Sequence, residues 1–392
     1  MDDILDRHNI LKKIDFNFQV TPIVAVLGPR QSGKTTCARQ YLAKILDFPS
    51  QNYFDLEDST DHTNLRDPLL ALSGLHGLIV IDEIQQEQSL YPTLRVLVDR
   101  EQNNQRYLIL GSASPKLLKD SSETLAGRIS YLELTPFCYG EILAGAKNAN
   151  WEPLWLRGGF PRAFLATTDE ISFAWRKNYI KTYLEQDIPR LGIRIPGENL
   201  RRFWMMLVHY QGALFNSSEI GRSLGLTNKT VQNYADILTE TFLIRQLKPW
   251  YVNISKRQVK APKIYIRDTG LLHTLLGISD MSQLLTHPKL GASWESFALE
   301  EIIRHYAADS DDCYFWATHQ GAELDLLLLK DGKRLGFEFK YSSHPTMTKS
   351  LQIVGEDLEL DELTVIYPGD KTYALTSEVQ VKGLVAVLAS EV

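Results

Sequence analysis

Near its amino terminus the chain reads Ile23-Val24-Ala25-Val26-Leu27 and continues without a break into Gly28-Pro29-Arg30-Gln31-Ser32-Gly33-Lys34-Thr35-Thr36. The first five residues are all apolar, which is typical of a strand that is buried on both faces of a parallel sheet. The residues that follow have the spacing of a phosphate-binding loop, GxxxxGK and then Thr, between a strand and a helix. The sequence therefore predicts a P-loop in an α/β domain with a parallel sheet.

The positions of this loop have expected roles in binding a nucleotide. Gly28 and Gly33 let the backbone turn tightly, so that N–H groups of the loop face a phosphate, and the following helix adds the positive end of its dipole. Lys34 is expected to contact the β and γ phosphates, and Thr35 to bind Mg²⁺. All residues from Gly28 to Thr36 are candidate nucleotide-binding residues, with ATP and Mg²⁺ as the expected cofactors.

Two further apolar strands are expected to end at the same site. The first, Leu78-Ile79-Val80-Ile81, leads into Asp82 and Glu83, which is the pattern of a Walker B segment. Asp82 is expected to hold Mg²⁺ through water, and Glu83 to orient or polarise the attacking water. An acidic pair that only caps a buried strand is the alternative, but the P-loop upstream favours the catalytic interpretation. The second strand, 107–110, leads to Ser112, a candidate γ-phosphate sensor because ligands bind at the carboxyl ends of parallel strands.

The bulk composition limits the class of protein. The formal net charge of −6 argues against a protein that coats nucleic acid without specificity, and it confines any contact with DNA to a local surface. The three cysteines, at positions 37, 138 and 313, have no paired spacing, so neither a disulfide framework nor a zinc site is expected. The amino terminus is acidic, and no stretch approaches the roughly 18 apolar residues that span a bilayer, which predicts a cytoplasmic protein without a membrane partner.

Several segments together resemble the AAA+-type P-loop ATPases of bacteria and archaea that carry a C-terminal domain of unknown function 4143. Besides the P-loop, these segments are Asp82-Glu83-Ile84-Gln85, Gly111-Ser112-Ala113-Ser114, Leu125-Ala126-Gly127-Arg128, 132–137, Gly158-Gly159-Phe160-Pro161, 179–188 and Asp268-Thr269-Gly270-Leu271. The resemblance covers almost the whole chain and implies three domains. We expect an AAA+-like ATPase domain at 1–145, a helical lid and winged-helix region at 146–255, and an α/β restriction-endonuclease-like domain at 256–392.

Arg128 is a further candidate catalytic residue under this resemblance. It could reach the γ-phosphate as an arginine finger, either in its own chain or from a neighbouring subunit of a homo-oligomer. An ordinary ion pair is the alternative, because arginines at protein surfaces commonly form one. The sequence leaves these possibilities open.

The middle of the chain has the pattern of a helix-turn-helix. Ser217 or Ser218 is expected to cap a short helix that ends at Gly225, and the strand that follows the next helix indicates a winged helix. A basic segment at 245–267 lacks Asp and Glu and supports contact with DNA. Winged helices also serve in protein packing, so both roles stay open. The candidate DNA-binding residues are Asn228, Lys229, Lys248, Lys256, Arg257 and Lys260.

Near the carboxyl terminus a predicted hairpin carries two acids and a lysine. Alternation along its second strand puts Glu338 and Lys340 on one face, beside Asp325 on the first strand. The set resembles the core of PD-(D/E)XK nucleases, which implies Asp325 and Glu338 as ligands of Mg²⁺ and all three residues as catalytic. Glu295 is a candidate acid on a preceding helix. A nuclease-shaped fold that cleaves nothing and contains a Glu–Lys cross-strand pair is the alternative.

Two functions follow from these expectations. The first is an ATPase whose winged-helix and nuclease-like modules bind or cut nucleic acid under the control of ATP. The second is an ATP-driven regulatory or defence switch whose C-terminal modules bind a protein and cleave nothing. The acidic net charge favours the second function, whereas the basic segment and the hairpin residues favour the first.

Overall fold

The structure is a computed structural model that describes residues 5–101, 104–114, 125–145, 150–191, 193, 195–251 and 259–390. The chain divides into two compact units. The first unit consists of Met1–Phe137, Thr182–Ile195 and Asp236–Phe242. The second unit consists of Cys138–Lys181, Pro196–Ala235 and Leu243–Val392. Each unit joins segments that are distant in sequence, and the three continuous domains expected at 1–145, 146–255 and 256–392 stay a prediction.

The strands are named in chain order. They are β1 (Ile23–Leu27), β2 (Tyr53–Asp55), β3 (Gly77–Asp82), β4 (Gln105–Gly111), β5 (Ile129–Glu133), β6 (Ala213–Leu214), β7 (Ile244–Pro249), β8 (Lys263–Ile266), β9 (Cys313–Ala317), β10 (Glu323–Lys330), β11 (Lys333–Phe339), β12 (Glu362–Tyr367), β13 (Tyr373–Ala374) and β14 (Val379–Gly383).

The helices are named in the same way. They are α1 (His8–Val20), α2 (Lys34–Leu42), α3 (Ser59–Asn64), α4 (Pro68–Ser73), α5 (Leu90–Val98), α6 (Tyr139–Gly145), α7 (Glu152–Arg157), α8 (Pro161–Phe164), α9 (Asp169–Thr182), α10 (Ile188–Arg190), α11 (Gly197–Leu207), α12 (Ser217–Leu224), α13 (Asn228–Glu240), α14 (Thr269–Leu276), α15 (Met281–Leu285), α16 (Leu290–His305), α17 (Lys349–Leu358) and α18 (Leu384–Leu388). A π-helical turn, Tyr183–Asp187, connects α9 to α10. Within the described ranges no helix has both the length and the apolar character to cross a membrane.

The first unit is built around a parallel sheet of five strands in the order β2-β3-β4-β1-β5. Both faces of β1 are buried, because its odd-numbered residues pack into one apolar cluster and its even-numbered residues into another. Helix α5 contributes to the first cluster, and helices α1 and α2 contribute to the second. A central strand covered on both faces needs apolar side chains throughout, which explains the sequence of β1. The predicted α/β class with a parallel sheet is confirmed.

The second unit contains a sheet of nine strands in the order β13-β14-β12-β11-β10-β9-β7-β8-β6. Strands β10 and β11 form the predicted hairpin, with Leu326 opposite Phe337. Its two turn residues are Asp331, with φ of 50°, and Gly332, with φ of 78°. Positive φ at both positions is the type I′ geometry that Asp-Gly favours. The acidic residues of both strands therefore lie at the end of the hairpin away from the turn.

A run of elements from α11 to β8 precedes this hairpin in the chain. Its order is α11, β6, α12, α13, β7 and β8, and β8 pairs antiparallel with both β6 and β7. Asn216 caps α12 in place of the predicted Ser217 or Ser218, because its side-chain oxygen accepts a hydrogen bond from the Glu219 N–H at 3.1 Å. The predicted end of this helix at Gly225 is confirmed.

Candidate functional site

The loop after β1 has a backbone path that depends on glycine. At Gly28, an added Cβ atom would lie 2.1 Å from the carbonyl oxygen of Leu134, so a larger residue would have to displace backbone. Gly33 has φ of 95° and Gln31 has φ of 65°, both in the left-handed region. These two residues bend the loop back onto the start of α2, which is the shape that presents backbone N–H groups to a phosphate.

Arg7 holds this loop from the chain segment before α1. Its guanidinium donates to the carbonyl oxygen of Ser32 at 3.0 Å and to that of Thr135 at 2.8 Å. The sequence analysis missed Arg7, because an isolated arginine outside any motif carries no pattern that could reveal such a contact.

Lys34, the first residue of α2, is buried under the loop, with 5% of its surface exposed. Its Nζ atom donates to the carbonyl oxygens of Gly28 at 3.1 Å and Pro29 at 3.0 Å. Burial lowers the pKa of Lys34, while the carboxylates of Glu83 and Asp82 oppose that shift. The ammonium group thus contacts neutral carbonyl oxygens, and a phosphate would offer it a charged partner and a stronger hydrogen bond.

Thr35 and Asp82 are brought together beside Lys34. The Thr35 hydroxyl donates to Asp82 Oδ2 at 2.8 Å, and the Tyr53 hydroxyl donates to the same atom at 2.9 Å. Burial raises the pKa of Asp82, and the hydrogen bond from Thr35 opposes this shift. A hydroxyl and a carboxylate are hard oxygen donors of the kind that Mg²⁺ takes, so this pair fits a magnesium ion that arrives with a nucleotide. Tyr53 was not predicted from the sequence.

Glu83 follows β3 with a strained backbone and a fixed carboxylate. Its φ of 55° is uncommon for a residue other than glycine, and such conformations cluster at functional sites. The Ser112 hydroxyl donates to Glu83 Oε2 at 3.0 Å, and the Gln85 side-chain amide donates to the same oxygen. Gln85 Oε1 in turn accepts the backbone N–H of Ser112 at 3.1 Å. Ser112, predicted as a phosphate sensor, therefore positions Glu83 together with Gln85.

The P-loop residue Arg30 contacts two acidic residues of the first unit. Its Nε atom lies 3.1 Å from Asp187 Oδ1, and its guanidinium also pairs with Glu57. Burial lowers the pKa of Arg30, but the carboxylates of Asp187 and Glu83 outweigh that effect and raise it. Asp187 belongs to the π-helical turn, a rare conformation that occurs frequently at functional sites. The segment Thr182–Ile195 thus contributes directly to the surroundings of the P-loop.

Arg128 lies at the opposite edge of the same sheet. It precedes β5, whose first residue, Ile129, pairs with Ile23 at the start of β1, whereas the P-loop follows Leu27 at its end. A strand of this length spans about 17 Å at ~3.3 Å per residue. The Arg128 guanidinium forms two hydrogen bonds with the Asp99 carboxylate, at 2.6 and 2.8 Å. Within its own chain Arg128 is therefore an ion-pair residue, and a role in a neighbouring subunit stays a prediction.

The predicted DNA-binding residues of α13 are exposed. Asn228 and Lys229 are the first two residues of that helix. Asn228 donates to the Ser218 hydroxyl at 2.9 Å, which ties the start of α13 to α12. Lys229 presents its side chain to solvent.

Four basic residues of the predicted segment 245–267 pair with acidic residues of the second unit, namely Arg245, Lys248, Lys263 and Arg267. Lys248 is exposed but lies 2.8 Å from Asp311, and Lys260 is exposed. Lys256 and Arg257 lie outside the described residues.

The arginines at the ends of this segment bind a buried carboxylate. Arg245 donates to the two oxygens of Glu300 at 2.6 and 3.1 Å, and Arg267 lies 3.3 Å from the same group. These arginines are therefore not available as a surface for phosphates, although composition alone counted them in a basic patch.

The structure brings Asp325, Glu338 and Lys340 together in the second unit, as predicted. Asp325 Oδ2 accepts the backbone N–H of Phe339 at 3.0 Å, and Lys340 Nζ lies 2.6 Å from Glu338 Oε1. Burial raises the pKa of Glu338 to about 8, the Asp325 carboxylate adds to the shift, and Lys340 opposes it. This Glu338–Lys340 pair joins residues two positions apart along one strand, so it is not the cross-strand pair that the non-cleaving alternative names.

Lys263 also contacts this group, and the sequence analysis had placed it only in the basic segment. Its Nζ atom lies 3.3 Å from Asp325 Oδ1 and 3.5 Å from Glu295 Oε1. The Tyr265 hydroxyl donates to Glu295 Oε1 at 2.6 Å. Burial lowers the pKa of Lys263, but Tyr265, Glu295 and Asp325 outweigh that effect and raise it, so the ammonium stays charged. A lysine in an otherwise apolar strand was the available signal for a buried ion pair.

Comparison with protein families divides the chain into three matched regions. The family described as "AAA domain" matches residues 20–143. A domain of unknown function, DUF8612, matches residues 148–282, and another, DUF4143, matches residues 290–386. The match to the AAA domain includes the P-loop, the end of β3 and Arg128.

Two curated relatives cover nearly the whole chain. The uncharacterized proteins Rv2008c of Mycobacterium tuberculosis and Mb2031c of Mycobacterium bovis are each 46% identical over 376 residues, which is 96% of this chain and 83% of the relative. Among solved structures, the Walker-type ATPase PABY2304 of Pyrococcus abyssi is 13% identical, with 70% of this chain and 97% of that chain covered and a TM-score of 0.48. A RuvB variant from Thermotoga maritima is 17% identical, with 62% and 91% covered and a TM-score of 0.31.

Proposed function

Since this chain belongs to the family of AAA-domain proteins that carry the C-terminal domain of unknown function DUF4143, we propose that it binds ATP with Mg²⁺ and hydrolyses it. One observation carries the proposal. Four side chains of complementary chemistry meet where parallel strands end, namely Lys34, Thr35, Asp82 and Glu83.

Each of these side chains has a separate role in hydrolysis. Lys34 neutralises the charge of the β and γ phosphates, while Thr35 and Asp82 hold the magnesium ion. The ion draws charge from the γ-phosphate when it is bound. Glu83, held by Ser112 and Gln85, orients the water that attacks the phosphorus atom.

Separate measurements of binding and turnover test the proposal. We expect Lys34→Ala to lose both ATP binding and turnover, whereas Glu83→Gln should bind ATP and fail to hydrolyse it. Glu87→Gln makes the same substitution four residues along the chain and serves as the control, with turnover like that of the parent. Equal turnover by Glu83→Gln and the parent would show that Glu83 does not activate water.

Local contact with nucleic acid is the finer part of the proposal. The order of elements from α11 to β8 is that of a winged helix, and Asn228 and Lys229 are exposed at the start of α13, where a recognition helix contacts base edges. We expect Lys229→Glu to weaken DNA binding and to lower by about one the number of counterions released on binding, as read from the slope of log K against log salt concentration. Lys333→Glu, at the exposed start of β11, should bind DNA as the parent does. Lys256→Glu and Arg257→Glu test whether the rest of the basic segment contributes to DNA binding.

A switch that binds a protein partner is the second candidate. It is favoured by the ion pairs of Arg245, Lys248 and Arg267, because each pair places an acidic group beside a basic residue that would otherwise face a phosphate. Parent protein that binds no single-stranded, duplex or branched DNA at about 0.1 M salt, where charges are screened over about 10 Å, would select this candidate. For either function we also propose that the chain assembles into a homo-oligomer. The molar mass in solution, measured with and without ATP, tests this.

A further inference from the structure

A lysine is buried among the acidic residues of the second unit. We call Glu295, Glu323, Asp325 and Glu338 the carboxylate cluster. Lys263 has 2% of its surface exposed, and its ammonium pairs with the first three members of the carboxylate cluster. An ammonium removed from water is tolerated only where such partners replace its hydration. The position of Lys263 therefore depends on these carboxylates.

Three of the four carboxylate oxygens of Asp325 and Glu338 are engaged by lysines or backbone, while Glu338 Oε2 is buried without a hydrogen-bond partner. Asp325 Oδ1 faces the ammonium at 3.3 Å, and Asp325 Oδ2 accepts the N–H of Phe339 at 3.0 Å. Glu338 Oε1 accepts a hydrogen bond from Lys340 at 2.6 Å. Mg²⁺ needs oxygen ligands at about 2.0–2.1 Å in octahedral arrangement, and a positive charge beside Asp325 repels such an ion.

The metal that a nuclease-like fold implies therefore does not fit these residues. In the part of the chain that the structure describes, no group of three or more His, Cys, Asp and Glu side chains could hold a metal ion. The carboxylate cluster has enough acids for a metal by number, so the mismatch arises from their arrangement and from the two lysines placed among them.

We propose that the Lys263 ammonium is a built-in cation that takes the place of a divalent metal in the carboxylate cluster. The ammonium then joins β8, which carries Lys263, to α16 and β10, which carry its acidic partners. Carboxylates and lysines cannot generate hydroxide near neutral pH without a metal to activate the water. The second unit accordingly keeps the strands of a nuclease-like core and serves in recognition without cutting a phosphodiester.

Exchange of the ammonium for an apolar group should open the site to a metal. Lys263→Met shortens the side chain by one atom and removes its charge, so we expect the variant to bind about one Mn²⁺ per chain in equilibrium dialysis. The parent and Lys260→Met, which changes an exposed lysine three residues earlier, should bind none. All three proteins carry Asp82→Asn and are measured without nucleotide, so that the first unit does not contribute.

Tryptophan emission reports on the same unit during heating. All seven tryptophans of the chain belong to segments of the second unit. We expect Mn²⁺ to raise the midpoint of thermal unfolding of Lys263→Met and to leave the midpoints of the parent and Lys260→Met unchanged. A folded Lys263→Met that binds no Mn²⁺ would overturn the proposal.

If Lys263→Met does not fold, Mn²⁺ binding by the parent and by Asp325→Asn tests the proposal instead. Mn²⁺ binding by the parent that is lost in Asp325→Asn would overturn the proposal, whereas equal absence of binding in both supports it. The parent should also leave single-stranded, duplex and branched DNA and RNA intact with Mg²⁺ or Mn²⁺. Metal-dependent cleavage that disappears in both Asp325→Ala and Lys340→Ala would show that a metal does enter the carboxylate cluster.

Discussion

Replacement of Gln85 by alanine is expected to slow ATP hydrolysis without weakening ATP binding. Gln85 is buried and fixes Glu83 directly through its amide and indirectly through the backbone of Ser112. A hydrogen bond to a charged group contributes about 1.5–3 kcal/mol. At about 1.36 kcal/mol for each factor of ten in rate, kcat should fall by about 10- to 150-fold. KM should change little, because Gln85 contacts the water-orienting residue and not the residues of the P-loop.

Steady-state turnover with Mg²⁺ and ATP measures kcat and KM separately. Gln86→Ala is the matched control, since Gln86 is the next residue in the same turn and is half-buried. The double variant Gln85→Ala, Glu83→Gln should be no slower than Glu83→Gln alone, because both residues act on the same water. The reasoning is refuted if Gln85→Ala and Gln86→Ala have the same kcat.

Further predictions concern the other residues that the structure places. Arg128→Ala should keep the turnover of the parent in dilute solution, because Arg128 lies at the far edge of its own sheet. A loss of turnover that is restored by mixing this variant with Lys34→Ala would instead assign an arginine finger to a neighbouring subunit. Glu300→Gln should lower the free energy of unfolding of the second unit by about 3–5 kcal/mol, followed by tryptophan emission in denaturant, because it leaves Arg245 buried without its charge partner. Lys248→Ala, which removes an exposed pair, should cost at most about 1 kcal/mol. Burial raises the pKa of Glu300, but Arg245, Arg267 and Arg304 together outweigh burial and lower the pKa. This stabilisation is therefore present above the unfolded pKa of about 4.3 and is lost as the pH falls below it. Acid titration of the parent and Glu300→Gln should show that difference, and identical titrations would contradict the role given to the pair.

The side chains expected at the P-loop and at the end of β3 lie close together in the structure, because their placement depends on local spacing. A strand, two glycines and Lys34 at fixed intervals define a backbone path, and an acidic pair after a second apolar strand defines its partner. The parallel sheet follows from the same apolar strands, since a strand buried on both faces has few other arrangements.

The sequence could not supply the contacts that depend on pairing across the fold. Gln85 donates a hydrogen bond to Glu83, and Tyr53 donates one to Asp82. Neither contact follows from the spacing of residues in the sequence. The sequence left Arg128 open between an arginine finger and an ordinary ion pair, and its place before β5 puts it at the amino edge of the sheet.

In the second unit, charge composition was the least reliable basis for predicting which basic residues are exposed. A segment without Asp or Glu predicted a basic surface, but a charge count says nothing about acids that arrive from elsewhere in the chain. Lys263 and Arg245 are buried by carboxylates that follow them by 30 or more positions in sequence. The hairpin of β10 and β11, by contrast, was predicted correctly, because the backbone geometry of its Asp-Gly turn is local.

The segmented make-up of the two units has a consequence for how the protein is made. Chains fold from the amino terminus as they leave the ribosome, yet the first unit draws its final segment, Asp236–Phe242, from beyond the middle of the chain. Asp187, the partner of Arg30 at the P-loop, is also translated long after that loop. The segments of the first unit are therefore translated in alternation with those of the second unit. A fragment that ends near residue 145 would lack part of the ATPase, and neither unit can be produced as one uninterrupted piece of the gene product.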